Sequence, residues 1–356
     1  MKNKKGTVFV GLSGGVDSSV SAALLKKDGY DVVGVFMRTW HPDFLPCTEE
    51  AERRDAMRVA AHLDIPFLTF DFEKEYKKGV GDYMIREYKA GRTPNPDVMC
   101  NKEVKFGAFL NKAIKMGANY IATGHYARTG AEKSRGAKKS LTLLRGKDST
   151  KDQSYFLWTL NQAQLSRTLF PIGHLPKTET RKLAKKFNLP VAEKKDSQGI
   201  CFLGQVDLKN FLKHYIPEKK GKVVDEKGKV IGWHDGARFY TLGERRGFVV
   251  TKKSPNDTPY YIVKRDVKKN ILVVSKNRIP AKDFYILKNL NWISETPEKE
   301  RVYNAEIRYH GEKLPCKIVL KGHGAEVKLE NAVTAAEGQS MVIYDGDVCL
   351  GGGVII

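Results

Sequence analysis

The stretch TVFVGLSGGVDSSVSAALLKKDGYDVVGVFM, which begins at Thr7, constrains the fold of this chain more than any other. An apolar run is followed by a glycine-rich turn, then by a helical pattern closed at Gly29, then by a second apolar run. That order predicts a βαβ unit. The pattern continues downstream. In EEAERRDAMRVAAHLD, Ala56, Val59, Ala60 and Leu63 recur at i, i+3, i+4 and i+7, which predicts a helix with one apolar face. A strand is expected in IPFLTFDF and another in NYIATGHYAR from Asn119. Strands alternating with helices predict an α/β layer built on an open parallel sheet, with ligands at the carboxyl ends of its strands.

The texture changes along the chain. Residues 130 to 140 (GAEKSRGAKKS) are polar and basic, and a surface loop is expected there. KTETRKLAKKFNLP predicts a helix with Thr178 as N-cap, Pro190 beyond its end, and Leu183, Ala184 and Phe187 on the inner face. After about residue 217 the helical signal gives way to short strands between glycine turns. From about 283, YNAEIRYHG, PCKIVLKGHG, AEVKLE and SMVIYDGDVCLGG predict a small barrel or sandwich. A chain of 356 residues is long enough for about two to three such units.

Lys and Arg number 62 against 41 Asp and Glu, a net charge of +21 that favours a polyanionic partner such as nucleic acid. The basic N-terminus is followed by an apolar run too short for a signal sequence or a membrane span, so a cytoplasmic protein without membrane contact is expected. The five cysteines (Cys47, Cys100, Cys201, Cys316 and Cys349) form neither a disulfide framework nor a C-x-x-C zinc motif.

GLSGGVDSS stands between a predicted strand and a predicted helix, where backbone N–H groups and the helix dipole can hold phosphate. Gly14 and Gly15 leave room for a polyphosphate, Ser13, Ser18 and Ser19 add hydroxyl donors, and Asp17 is suited to the magnesium that accompanies ATP. Neither G-x-x-x-x-G-K nor G-x-G-x-x-G is present, so the ordinary nucleotide loops are excluded. A second cue is RTPNPDVMCNKEVKF. Pro94 and Pro96 place Cys100 on a loop or at a helix start, where no apolar pattern requires a thiol. Cys201, in DSQGICFLG, is 101 residues away in sequence, and spacing alone does not bring the two together.

SGGVDSS resembles the signature of the PP-loop ATP pyrophosphatases. Together with GRTPNPDVMCNKEVKF, TGHYAR, KDQSYFL, DSQGICF, EIRYHG, EGQSMVIYDGD and LGGG, it makes nearly the whole chain similar to the tRNA-specific 2-thiouridylase family. The resemblance implies a Rossmann-like PP-loop domain over 1–207, a small mostly-β domain over 208–282 and a C-terminal β-barrel over 283–356 that contacts tRNA. It implies ATP-dependent adenylation of the O2 of the wobble uridine of Lys, Glu and Gln tRNAs, followed by sulfur transfer from a cysteine persulfide. The sulfur would come from a cysteine desulfurase or a relay protein. By the same resemblance Cys201 carries the persulfide, Cys100 is the second thiol and half of a disulfide with Cys201, and Asp97 is the general acid or base. ATP falls to Gly11, Leu12, Ser13, Gly14, Gly15, Val16, Asp17, Ser18, Met37 and Gly124, with Mg2+ accompanying it. The tRNA falls to Asn95, Pro96, Asp97, His125, Lys151, Asp152, Gln153, Arg308, Tyr309 and Gln339, with the uridine flipped out of its stack.

Two positions depart from the family pattern: Gln198 where Thr is usual, and Glu244 where Gln is usual. Cys47 has no assigned role. Three other readings stay open at this stage: a PP-loop enzyme that adenylates a small carbonyl compound for attack by an amine, a non-catalytic RNA-binding protein on a nucleotide fold, and an iron–sulfur cluster on Cys100, Cys201 and Asp97.

Overall fold

A computed structural model of the chain describes residues 5–132, 140–196, 199–204, 206–251, 258–277 and 281–356. Strand β1 (Thr7–Gly11) leads through helix α1 (Val16–Lys27) to β2 (Asp31–Arg38), and helix α2 (Glu49–His62) leads on to β3 (Phe67–Asp71). With β4 (Tyr120–Ala122) and β7 (Thr168–Leu169) these strands form a five-stranded parallel sheet in the order β3-β2-β1-β4-β7. The sheet is covered on both faces, which is why β1 needs a continuous apolar run rather than an alternating one: Val8, Phe9 and Val10 are all buried.

Two details of the expected layout differ. NYIATGHYAR is two strands, because the chain turns at Gly124 between β4 and β5 (Ala127–Glu132). β5 then pairs with β6 (Ser140–Arg145), so 130–132 and 140 belong to a hairpin rather than to a loop, while 133–139 lie outside the described residues. The helix Lys177–Lys186 is capped by Pro176 and not by Thr178; the Asp148 carboxylate, across the fold, accepts from the Lys177 N–H at 2.9 Å and satisfies the helix end from outside.

The central sheet joins β8 (Gly221–Val224), β9 (Val230–His234), β10 (Val249–Val250), β11 (Tyr261–Asp266) and β12 (Ile271–Ser275) in the order β10-β9-β8-β12-β11. β13 (Lys282–Trp292), β16 (Gly324–Val333), β15 (Leu314–Lys321), β14 (Tyr303–Glu306), β17 (Ser340–Asp345) and β18 (Val348–Ile355) follow one another as neighbours. β13 also pairs with β18, which closes a six-stranded antiparallel barrel. The β6–β5 hairpin is attached outside it through Val348 and Cys349, opposite Leu144 and Leu143.

One apolar core runs through all three units, from Phe9 and Phe109 to Val274, Val342 and Tyr344. Buried polar bonds cross the same boundary: Tyr155 donates to the Ser340 carbonyl (3.0 Å), the Trp158 indole N–H to Ser340 Oγ (3.1 Å), and Arg145 binds both Asp152 (3.0 Å) and Glu306 (2.6 Å). Among the described residues no helix is long and apolar enough to cross a membrane.

Candidate active site

The turn between β1 and α1 lies at the carboxyl edge of the parallel sheet. Leu12 N–H continues the strand by donating to the Val35 carbonyl at 2.8 Å, and α1 starts after Gly15 with no side chain capping it. Its first N–H groups therefore face the edge where an anion can take them. Gly14 has φ +70°, and a Cβ there would stand 2.5 Å from the Glu52 carbonyl oxygen. Gly124 is required by proximity: its Cβ would lie 2.7 Å from Ser18 N, so the strand end and the helix start touch backbone to backbone. Ser13 and Ser18 hydroxyls lie 3.2 Å apart across the loop, and the Met37 methyl packs against Gly11.

The side chain of Asp17 is held by neighbours the sequence did not single out. Both of its oxygens accept from Lys177 Nζ at 2.8 Å, and Oδ1 accepts from the Tyr126 hydroxyl at 2.9 Å. Lys177 also pairs with Asp196 (2.9 Å), which accepts in addition from Lys151 (3.0 Å) and Arg181 (2.6 Å). Burial opposes ionisation of Asp196, but Lys177 and Lys151 outweigh it and hold its carboxyl down to about 2. Three cations thus gather around Asp196, on the segment that leads to Cys201, and Lys177 links them to the phosphate loop through Asp17.

Asn95 caps the short helix Pro96–Met99 by accepting from the Val98 N–H at 3.2 Å, and Pro96 occupies the first helical position, where its missing N–H costs nothing. The helix continues as a π-helical stretch, Cys100–Phe109, with Cys100 fully buried at its start. Cys201 arrives from the far side of the site on a five-residue loop pinched shut by a bridge between Ile200 and Gly204. The two sulfurs are 3.5 Å apart, and both thiols are free. Cys201 N–H donates to Asp97 Oδ1 (2.9 Å), and its carbonyl accepts from the Tyr76 hydroxyl (2.7 Å), so the loop is fixed at both ends of one residue. Phe202, the next residue, has φ +65° and sets its ring edge-on to Tyr76.

The electrostatics divide the pair. The S–H of Cys100 donates to Cys201, and this bond, opposed by burial and assisted by Lys105, holds the Cys201 thiol down to about 7. Cys100 is pushed well up by its burial and by that same bond. Burial also raises the Asp97 carboxyl. At neutral pH, then, Cys201 is about half thiolate and is the more nucleophilic sulfur, while Cys100 keeps its proton.

The residues expected to meet tRNA are spread more widely. Asn95, Pro96 and Asp97 adjoin the thiols. His125 is buried, with Nδ1 2.8 Å from the Thr123 hydroxyl, and burial lowers its pKa well below the usual range. Asp152 is an internal ligand: besides Arg145 it accepts from the N–H groups of Gly146 (2.8 Å) and Ser154 (3.1 Å). Gln153 accepts from Tyr126 N–H (3.0 Å), and Gln339 donates to the Thr93 carbonyl (3.0 Å), tying the barrel to the Pro94–Pro96 segment. Arg308 and Tyr309 are exposed on the barrel. The Tyr309 ring stacks on His310 (3.9 Å) and lies 4.5 Å from Phe156, whose carbonyl accepts from Asn101 beside Cys100. Glu244 closes a turn by accepting from Thr241 N–H (2.9 Å); Gln198 lies outside the described residues.

Tyr76, Lys105, Lys177 and Asp196 were not marked by the sequence reading. Lys105 and Asp196 sit inside quoted motifs, so their signal was present. Tyr76 and Lys177 carry none. As to a metal, no group of three or more His, Cys, Asp and Glu side chains among the described residues is arranged to hold one. Cys100, Cys201 and Asp97 do not make up such a group, so the structure gives no indication of an iron–sulfur cluster on them. Asp17, with both oxygens on Lys177, is likewise not disposed as a magnesium ligand.

Three family models match in order: a tRNA methyl transferase HUP domain over 6–205, a tRNA methyl transferase PRC-barrel domain over 209–276 and an aminomethyltransferase beta-barrel domain over 282–355. Curated relatives match from end to end. The tRNA-specific 2-thiouridylase MnmA of Methylobacillus flagellatus is 44% identical over 100% of this chain and 99% of its own. The protein of the same name from Alkaliphilus oremlandii is 46% identical over 98% of this chain and 96% of its own. Among solved structures, a U34-tRNA thiolase from Methanococcus maripaludis aligns over 60% of this chain and 67% of its own with a TM-score of 0.36 at 16% identity, too low a likeness to argue from.

Proposed function

The chain belongs to the tRNA-specific 2-thiouridylase family, ATP-using sulfurtransferases that act on tRNA, and we propose that its reaction is centred on the pair Cys100 and Cys201. The observation that carries the proposal is the 3.5 Å approach of two free sulfurs from sequence segments 101 residues apart, one thiol made more acidic and the other less.

In this reading ATP lies with its phosphates on Gly11–Ser18, its magnesium travels with the phosphates, and Gly124 and Met37 shape the pocket. The O2 of the wobble uridine attacks the α-phosphorus, pyrophosphate leaves, and the oxygen becomes part of an AMP leaving group. The terminal sulfur of a Cys201 persulfide bonds to C2 and AMP departs with the C–O electron pair. Cys100 attacks Cys201 Sγ and passes its proton to the departing thiouridine. The bond from Cys201 to the uridine-bound sulfur breaks, the 2-thiouridine leaves with that pair, and a Cys100–Cys201 disulfide remains for an external dithiol to reduce. Asp97, raised by burial, is suited to trade the uridine N3 proton. Arg308 suits phosphate, Tyr309 suits stacking on a base, and Lys151 adds charge beside the phosphate loop. His125, Asp152, Gln153 and Gln339 act by holding the walls that tRNA meets. The wobble position, the Lys, Glu and Gln tRNAs, a cysteine desulfurase or relay donor, a cytoplasmic setting and the domain limits 1–207, 208–282 and 283–356 belong to the same proposal.

The test is nucleoside analysis of tRNA incubated with ATP and a persulfide source. Wild-type protein is expected to yield 2-thiouridine with one AMP released per sulfur transferred. Cys201→Ser is expected to yield none while binding ATP and tRNA normally. Thiolation by Cys201→Ser would refute the assignment.

A further inference from the structure

Cys201 needs a counter-ion if it is to stand as an anion inside a half-buried site, and the helix that carries Cys100 supplies one five residues on. In an α-helix, residue i+5 lies about 140° round the axis from residue i. The stretch Cys100–Phe109 is π-helical, and its i→i+5 register brings Lys105 back over Cys100, on the face that meets the Cys201 loop. There the Lys105 Nζ stands 5.7 Å over the ring of Phe202, the residue that follows Cys201, so its charge lies beside both thiols. A lysine with only a packing role extends its head to water. Lys105 instead holds its head over the aromatic ring next to Cys201.

On the reading of Cys201 as sulfur carrier, we propose that Lys105 is a further catalytic residue: its ammonium is the fixed counter-ion of the Cys201 sulfur, first as thiolate and then as the terminal anion of the persulfide. The groups facing Cys201 are Cys100 and Lys105 on one helix, Asp97 on the turn before it, and Tyr76 across the loop. Lys105 is the cation acting on Asp97, Cys100 and Cys201 alike. His125, which faces Lys105, stays neutral and adds no competing charge. Burial works against the Lys105 ammonium, but Cys201 and Cys100 outweigh it and keep its pKa raised. The π-helical register thus has a purpose: wound as an α-helix, the same sequence would carry this charge away from the sulfur.

The experiment is the pH profile of Cys201 alkylation by iodoacetamide, read by peptide mass spectrometry on the full chain. It compares wild type with Lys105→Met, Lys105→Gln and Lys105→Arg, each also in a Cys100→Ala background. Wild type is expected to show an inflection near about 7. The two neutral variants are expected to shift it up by about one pH unit, a roughly tenfold slower reaction on the acid side of the profile. Lys105→Arg is expected to keep the wild-type profile, and the Cys100→Ala background to keep the difference between neutral and charged variants. Inflections unmoved in Lys105→Met or Lys105→Gln, or moved equally in Lys105→Arg, would overturn the proposal. Alkylation requires no sulfur transfer, so this result is independent of whether wild-type protein thiolates tRNA.

Discussion

Replacing Arg145 by Met is expected to be among the most damaging single changes away from the thiols. Its guanidinium binds Asp152 at 3.0 Å and Glu306 at 2.6 Å, and its Cζ lies 3.5 Å from the Tyr344 ring centroid. All three charged side chains are at most 10% exposed, so solvent screens little of the interaction. Glu306 already tends toward neutrality through burial and is held ionised by Arg145. Removing the cation strands two buried carboxylates, and breaking a buried pair from one side costs about 3–5 kcal/mol. Asp152 keeps its bonds from Gly146 and Ser154, which places the expectation toward the lower end, about 3 kcal/mol. Adding Glu306→Gln removes one stranded charge and should restore about 1–2 kcal/mol. Urea unfolding followed by tryptophan fluorescence is the assay, with Trp158 bonded to Ser340 at the same boundary as an internal reporter. A loss below about 1 kcal/mol for Arg145→Met, or a double variant no more stable than the single one, would refute the reasoning.

Three further outcomes are expected. Gly124→Ala puts a methyl 2.7 Å from Ser18 N and 2.8 Å from the Asp17 carbonyl carbon, so it should lower stability by about 1–3 kcal/mol and weaken ATP binding; calorimetric titration with unchanged affinity would contradict this. Asp196 has its folded pKa depressed from 3.8 to about 2, so its contribution is present above pH 4 and is lost as pH falls toward 2; wild type should exceed Asp196→Asn by about 2 kcal/mol near neutrality, with the gap closing over that acid window in chemical unfolding. Binding of tRNA should fall by about three orders of magnitude between 50 and 200 mM salt if the +21 charge engages about six phosphates, and a flat salt response in filter binding would argue against phosphate contacts.

The parallel sheet was legible because its strands are buried on both faces and its first turn has a composition that few other structures need. The barrel was legible as short alternating strands, but its closure was not: pairing β13 with β18 joins segments about sixty residues apart, and no local pattern encodes that register. The β5–β6 hairpin was misread as a strand and a loop because its stabilising partner, β18, lies two hundred residues downstream. At the site, the thiols and Asp97 were legible through their motifs. The bonds that position them were not, since Tyr76 reaches Cys201, and Lys177 reaches Asp17, only through the tertiary fold. His125 and Asp152 show the converse: a polar residue in a motif faced inward, where it holds the frame.

The attachment of β18 to β6 bears on how the protein is made. The final eight-residue strand is the one that completes the barrel, closing on β13 and covering the edge of a hairpin synthesised some two hundred residues earlier. Until β18 is in place that edge is bare, one residue from Arg145 at the end of β6. Strand β18 therefore acts as a latch shared by two structures: losing it would open the barrel and bare the edge of the β5–β6 hairpin together.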